Sequence, residues 1–260
     1  MEGLGPPVTP FFLCFIRPEP CVQSNEEIMR PGIKPVFAVF IALVLFPGSI
    51  AHAQRDNLNN TLHRLDVAAA NFRSTSADVE FDTTQTDPFP DKDVQKGKVY
   101  YQRKGSDFQM AAHISDENGK PAPKVYVYSG GTVKLYDKLV NQVTTLSKFA
   151  QYQGWFTLGF GASGKDLEQK WDIKDQGPET IDGVKTEKLE LVPKDPAIKK
   201  NLPKVAIWID PDRGVSLKQV FDEGQGLSRT GLYSNIQVNQ SLPSDAFTFK
   251  TDKNTQVVNR

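Results

Sequence analysis

The chain has 260 residues, with 31 Lys and Arg against 31 Asp and Glu, so it is formally neutral at pH 7. That balance argues against nucleic acid as a partner, which proteins hold with a basic surface. Its two cysteines, Cys14 and Cys21, both precede a candidate processing site, so the chain beyond that site has no thiol nucleophile, disulfide or thiolate metal site.

Residues 1–28 show no periodic pattern and are read as lying upstream of the true start at Met29. From there the chain has the three parts of a secretory signal peptide. Arg30 and Lys34 are its positive end, residues 36–46 its apolar run, and Ala51-His52-Ala53 its A-x-A cleavage site. The run is too short for a membrane span, which needs about 20 apolar residues. The spacing predicts a signal peptide over 29–53, cut after Ala53, and one folded domain over 54–260. No cysteine follows the apolar run, which argues against a lipid anchor. An exported, cysteine-free domain fits the bacterial periplasm.

In the mature chain, Leu58, Leu62, Leu65, Ala69 and Phe72 recur at helical spacing, which predicts a helix over 57–72 with Asp56 as its cap. Residues 77–85 alternate as a strand, with Val79 and Phe81 on one face. Residues 97–145 then read as an antiparallel meander, whose short runs are separated by turns at Lys104–Asp107, Asp116–Pro123, Ser129–Gly131 and Asp137-Lys138. Tyr100, Tyr101, Phe108, Met110, Tyr126, Tyr128 and Tyr136 give this meander more aromatic surface than a plain sheet needs. Either a helix covers it, or a ligand does.

From Leu146 the alternation breaks down. Phe149, Tyr152, Trp155, Phe156, Leu158 and Phe160 crowd among Gly154, Gly159, Gly161 and Gly164. One or two short helices with glycine joints, lying on the sheet, would give this pattern; so would a buried core segment. Strands follow over 186–192, 204–210, 215–221 and 231–238, and 247–250 is expected to close the sheet. Pro211-Asp212-Arg213-Gly214 marks a hairpin turn. The class is mostly β (α+β): nine or ten antiparallel strands, one long helix and an apolar insert.

Several motifs resemble chemistry without completing it. Gly159 to Gly164 fits G-x-G-x-x-G, but its flanks are not parallel βαβ units. A P-loop would need Ser or Thr where Asp166 stands. Asp210, Asp212 and Gly214 lack the remaining ligands of a calcium loop. His63 and His113 lack metal-pair spacing, and no G-x-S-x-G elbow is present. The carboxylate pairs Asp91/Asp93 and Glu187/Glu190 fall in a loop or on solvated strand faces. No catalytic constellation assembles, and no cofactor or metal is expected.

Three stretches together resemble a known family. They are Gly97-Lys-Val-Tyr-Tyr-Gln-Arg103 with Phe108, Ser129 to Asp137 with Asn141-Gln142-Val143, and a closing set of Leu191-Val-Pro-Lys, Ile207-Trp-Ile-Asp210, Asp222-Glu-Gly-Gln and Phe247-Thr-Phe. Their order and spacing are similar to those of the periplasmic outer-membrane lipoprotein carriers, the LolA family. The resemblance covers nearly all of 54–260. It departs at Lys104, where the family often has proline, and at Lys134, where tryptophan is common.

The resemblance implies an incomplete antiparallel β-barrel whose concave apolar face is covered by an N-terminal helix and a helical lid. Acyl chains would lie inside, lined by Leu62, Leu65, Phe81, Tyr101, Phe108, Met110, Trp155, Phe156, Leu158, Phe160 and Trp208. Arg103 would clamp the lid through its backbone. The implied partners are acylated lipoproteins, an inner-membrane release complex and an outer-membrane receptor, served by a monomer. The same fold carries glycolipids and serves envelope sensors, so both alternatives stay open.

Overall fold

The computed structural model describes residues 48–105, 107–147 and 157–260, with side chains from Asn57 onward. The expected signal-peptide apolar run, Trp155 and Phe156 lie outside the described residues. Helix α1 spans Gly48–Asn71. It starts well before the expected position, which puts Asp56 inside the helix instead of at its cap. Nothing in residues 48–56 breaks a helix in the way that Pro47 would. The apolar stripe falls as the periodicity requires: Leu62, Leu65, Ala69 and Phe72 are buried.

Twelve strands form one sheet in the order β12-β6-β5-β4-β3-β2-β1-β11-β10-β9-β8-β7, and its two edge strands do not meet. The first meander comprises β1 Ser74–Gln85, β2 Asp91–Lys104, β3 Asp107–Glu117, β4 Lys120–Ser129, β5 Thr132–Asp137 and β6 Gln142–Leu146. The second comprises β7 Trp171–Ile181, β8 Val184–Pro193, β9 Lys204–Asp210, β10 Val215–Gly224 and β11 Leu227–Val238. Pairing of β1 with β11 joins the halves. Between the meanders run the segment after Leu146 and helix α2, Gly164–Lys170; helix α3, Pro196–Lys199, links β8 to β9.

Strand alternation gives the sheet two different faces. Val99, Tyr101, Phe108, Met110, Ala112, Ile114, Tyr126 and Tyr128 share the inner face with Val79 and Tyr233. The helical side of the second half gathers Leu62, Leu65, Leu167, Leu189, Leu191, Val205, Ile207 and Phe221. On the outer face, Tyr100, Ala111, Val125 and Val127 pack beneath Leu242, Ala246, Phe247 and Phe249.

That third cluster corrects one expectation. Residues 247–250 are not a strand but part of a strap over the outer face. Phe249 stacks on Tyr136 at 5.2 Å, and the Ala246 carbonyl lies 2.9 Å from His113 Nε2. An F-x-F pattern suits an edge strand and an extended strap equally well, so periodicity cannot separate them. The closing strand is β12, Gln256–Asn259, which pairs parallel with β6. Strand β7 was also not anticipated, because its exposed side is polar and a register shift at Asp175/Pro178 interrupts its alternation.

Candidate functional site

The candidate site is the inner face of the first meander, and the protein fills it with its own side chains. Phe160 is fully buried there. Its ring stacks on Tyr101 at 4.2 Å with 8° between planes, and meets Tyr233 edge-on at 4.8 Å. Phe108 lies beyond Tyr101 at 6.0 Å and Phe81 flanks Tyr233 at 6.3 Å. Fully burying one phenylalanine side chain is worth about 1.5–3 kcal/mol, so Phe160 holds its own segment down.

Polar contacts then fix the segment at three points. Arg103 Nη1 donates to the Ala69 carbonyl at 2.8 Å, at the end of α1, and Nη2 to the Gly161 carbonyl at 2.7 Å. Its guanidinium also lies 5.7 Å from the centre of the Phe72 ring. Gln219 Nε2 donates to the Leu158 carbonyl at 2.6 Å, and Ser216 N–H to the Gly159 carbonyl at 2.7 Å. Charge-assisted bonds such as those of Arg103 are stronger than neutral ones.

The glycines of the G-x-G-x-x-G stretch act here as contact points. A Cβ at Gly161 would sit 2.6 Å from the Phe72 ring, and one at Gly164 would sit 2.3 Å from the Leu62 carbonyl oxygen. The N-terminus of α2 is closed by its own capping box, with Ser163 accepting from Asp166 N–H and Asp166 reaching back. The short α2 leads into an antiparallel edge strand. Residue spacing imitates a nucleotide loop, but the chain around it does not build one.

Behind Phe160 lies a buried polar row. Tyr233 donates to Gln219 Oε1 at 3.0 Å, which leaves its oxygen to accept from Tyr101. Burial pushes both phenols well above their ordinary pKa. Thr75 lies directly opposite Tyr101 in the β1–β2 register, fully buried, and its Oγ1 has no hydrogen-bond partner.

Of the residues singled out in the sequence, Tyr101, Phe108, Met110 and Phe160 gather in the first cluster, with Phe81 packed at its margin. Leu62, Leu65 and Leu158 belong to the neighbouring cluster under α1. Trp208 does not join them. It alternates out of β9 onto the opposite face, where Lys188 and Lys218 lie 4.7 and 4.6 Å from its ring and Glu179 accepts its indole N–H. Its neighbours Ile207 and Ile209 face inward instead. Sequence reasoning missed Tyr233, Gln219 and Val215. Tyr233 and Val215 carried a signal, as apolar residues in predicted strands; a buried glutamine has none until the fold puts a partner beside it.

The opposite face carries an open groove of about 830 Å³ lined by Tyr100, His113, Leu232 and Lys218. One wall carries two ion pairs, Lys98 on Asp78 and Lys96 on Glu80, and the ladder continues beyond the groove with Lys92 on Asp82. The Lys98 bond holds the Asp78 carboxyl below its usual range. Among the described residues no three His, Cys, Asp or Glu side chains gather as a metal site would require.

The family model of the outer membrane lipoprotein carrier protein LolA matches residues 73–250. The chain belongs to the LolA family. That span runs from the end of α1 through both meanders to the strap, so it includes Arg103, Phe108, Phe160 and Gln219. An uncharacterized protein of Methanocaldococcus jannaschii is 28% identical over 123 residues, which is 47% of this chain and 34% of that protein. The chain thus spans about a third of the length of that curated relative. Among solved structures, an uncharacterized conserved protein from Thermus thermophilus is 14% identical, covering 78% of this chain and 99% of that one, with a TM-score of 0.49. The lipoprotein LppX of Mycobacterium tuberculosis is 16% identical, covering 73% and 99%, with a TM-score of 0.45. MucB, in the MucA/MucB complex of Pseudomonas aeruginosa, is 14% identical, covering 75% and 61%, also at 0.45.

Proposed function

We propose that this LolA-family chain is a carrier that shelters the acyl chains of lipoproteins or lipids in its inner face and moves them from the inner to the outer membrane. The observation that carries the reading is Phe160, an apolar plug removed from water among aromatic strands and tied down by Arg103. Each methylene kept from water is worth about 0.8 kcal/mol, so a multiply acylated molecule cannot cross an aqueous space unshielded. A shuttle therefore needs an apolar interior that is hidden when empty and opens for cargo. Arg103 serves as the clamp, joining α1 to the 157–164 segment, and cargo competes with that closed state. The signal-peptide pattern over 29–53 suits work in the periplasm.

A photo-crosslinker in place of Phe108, in chain purified from its native envelope, tests this. An acylated protein trapped there supports lipoprotein carriage. Free lipid alone would move the reading to a general lipid carrier, and no adduct in either the native chain or Arg103→Leu would overturn it. Arg103→Leu removes two bonds from the closed form, so its adduct yield should rise and it should bind a hydrophobic dye more strongly.

A further inference from the structure

We infer that the buried polar row of Tyr101, Tyr233, Gln219 and Thr75 is a carbonyl-binding subsite, which selects acyl esters or amides over plain hydrocarbon chains. This inference rests on the carrier reading and names the chemistry of its cargo. In the closed form the protein supplies both halves of such a ligand. The ring of Phe160 takes the place of the chain, between Tyr101 and Tyr233. The Leu158 carbonyl takes the place of the linkage, accepting from Gln219 Nε2 at 2.6 Å.

When the segment lifts, Gln219 loses its acceptor while its oxygen stays engaged by Tyr233. A buried amide N–H left without a partner is costly. An alkyl chain can replace Phe160 but leaves that N–H unsatisfied. An acyl chain replaces Phe160 and brings a carbonyl oxygen to the position the Leu158 oxygen has vacated. Thr75, opposite Tyr101 and nearer the start of β1 than the level of Gln219, offers a separate donor for the second carbonyl of a diacyl ligand, because its hydroxyl is fully buried yet unpartnered in the closed form. Such an unmet group is rare in an interior, and a ligand carbonyl would meet it. Gly159 holds the segment's backbone against Gln219, since a Cβ there would lie 2.5 Å from its Nε2.

The test is displacement of a bound hydrophobic dye from the intact protein by 1,2-dioctanoylglycerol and by its ether analogue 1,2-di-O-octylglycerol. One hydrogen bond predicts a preference for the ester of about tenfold. Gln219→Met keeps the side-chain volume and should bring the ratio close to one, even if it loosens the closed form and strengthens both lipids. Thr75→Val removes a hydroxyl that has no partner, so it should leave stability unchanged or higher while lowering the ester preference. An octanoylated peptide tested alongside separates the sources: the larger loss in Gln219→Met marks whether an amide or a glycerol ester is the natural fit. Equal binding of ester and ether by the native protein would overturn the subsite and leave the carrier reading intact. An ester preference that survives Gln219→Met would also overturn it. Failure of every lipid to displace the dye would overturn both.

Discussion

Tyr101 and Tyr233 meet inside an apolar cluster, and burial holds both phenols protonated. In the unfolded chain a tyrosine ionises at about pH 10, while in the folded protein these two ionise only at higher pH. The folded state therefore keeps protons that the unfolded state gives up. Their contribution to stability is complete below about pH 10 and is lost as pH rises beyond it. Denaturant titrations should give a flat stability between about pH 7 and 9 and a fall of about 1.4 kcal/mol per pH unit for each buried phenol above about 10. Tyr101→Phe should make that fall shallower; an unchanged slope would mean that the phenols do not resist ionisation. Arg103 has a different role at the same scale, because its two bonds tie parts of the chain far apart in sequence.

At the scale of elements, the 157–164 segment and α2 are pressed onto α1. Gly164 lies so close to the Leu62 backbone that a methyl group has no room. In an ordinary helix Gly→Ala gains about 1 kcal/mol. Here Gly164→Ala should instead cost about 1–3 kcal/mol, the usual cost of overpacking, and should raise dye binding as the segment lifts. A stabilising Gly164→Ala would show that the contact is not tight. This segment is also where the sequence was hardest to read. Phe160 and its neighbouring glycines Gly159, Gly161 and Gly164 follow neither the helical nor the strand period, because they fit against Tyr101, Tyr233, Gln219, Phe72 and Leu62 from separate elements instead of forming a face of their own.

At the scale of the molecule, the C-terminal strap covers a second apolar face and delivers β12 to pair beside β6 as the sheet's edge. Leu242, Phe247 and Phe249 are only half-buried there, each worth half of the roughly 1.5–3 kcal/mol of full burial. Ending the chain at residue 240 should therefore cost about 3 kcal/mol and lower Tm by roughly 10 °C. New dye binding should appear on the outer face, and Arg103→Leu should add to it without overlap. No loss of Tm would mean that the strap does not seal that face.

The apolar stripe of α1, though not its start, the strands of the first meander and the hairpin at Pro211–Gly214 were legible in the residues themselves. Each depends on local periodicity and turn chemistry, which sequence carries directly. The family was legible too, through motifs spread along the chain. Which face each side chain joins was decided by the sheet as a whole. Alternation separates Trp208 from Ile207 and Ile209 but does not say which set faces the core, and an F-x-F pattern does not choose between strand and strap, so Trp208 faces outward and Phe247 leaves the sheet. The Tyr101–Tyr233–Gln219 row, the Arg103 bridge and the closeness of Gly164 to Leu62 are meetings of residues distant in the chain. Their geometry exists only once the two meanders are joined through β1 and β11, because no local pattern encodes a distance between separate strands.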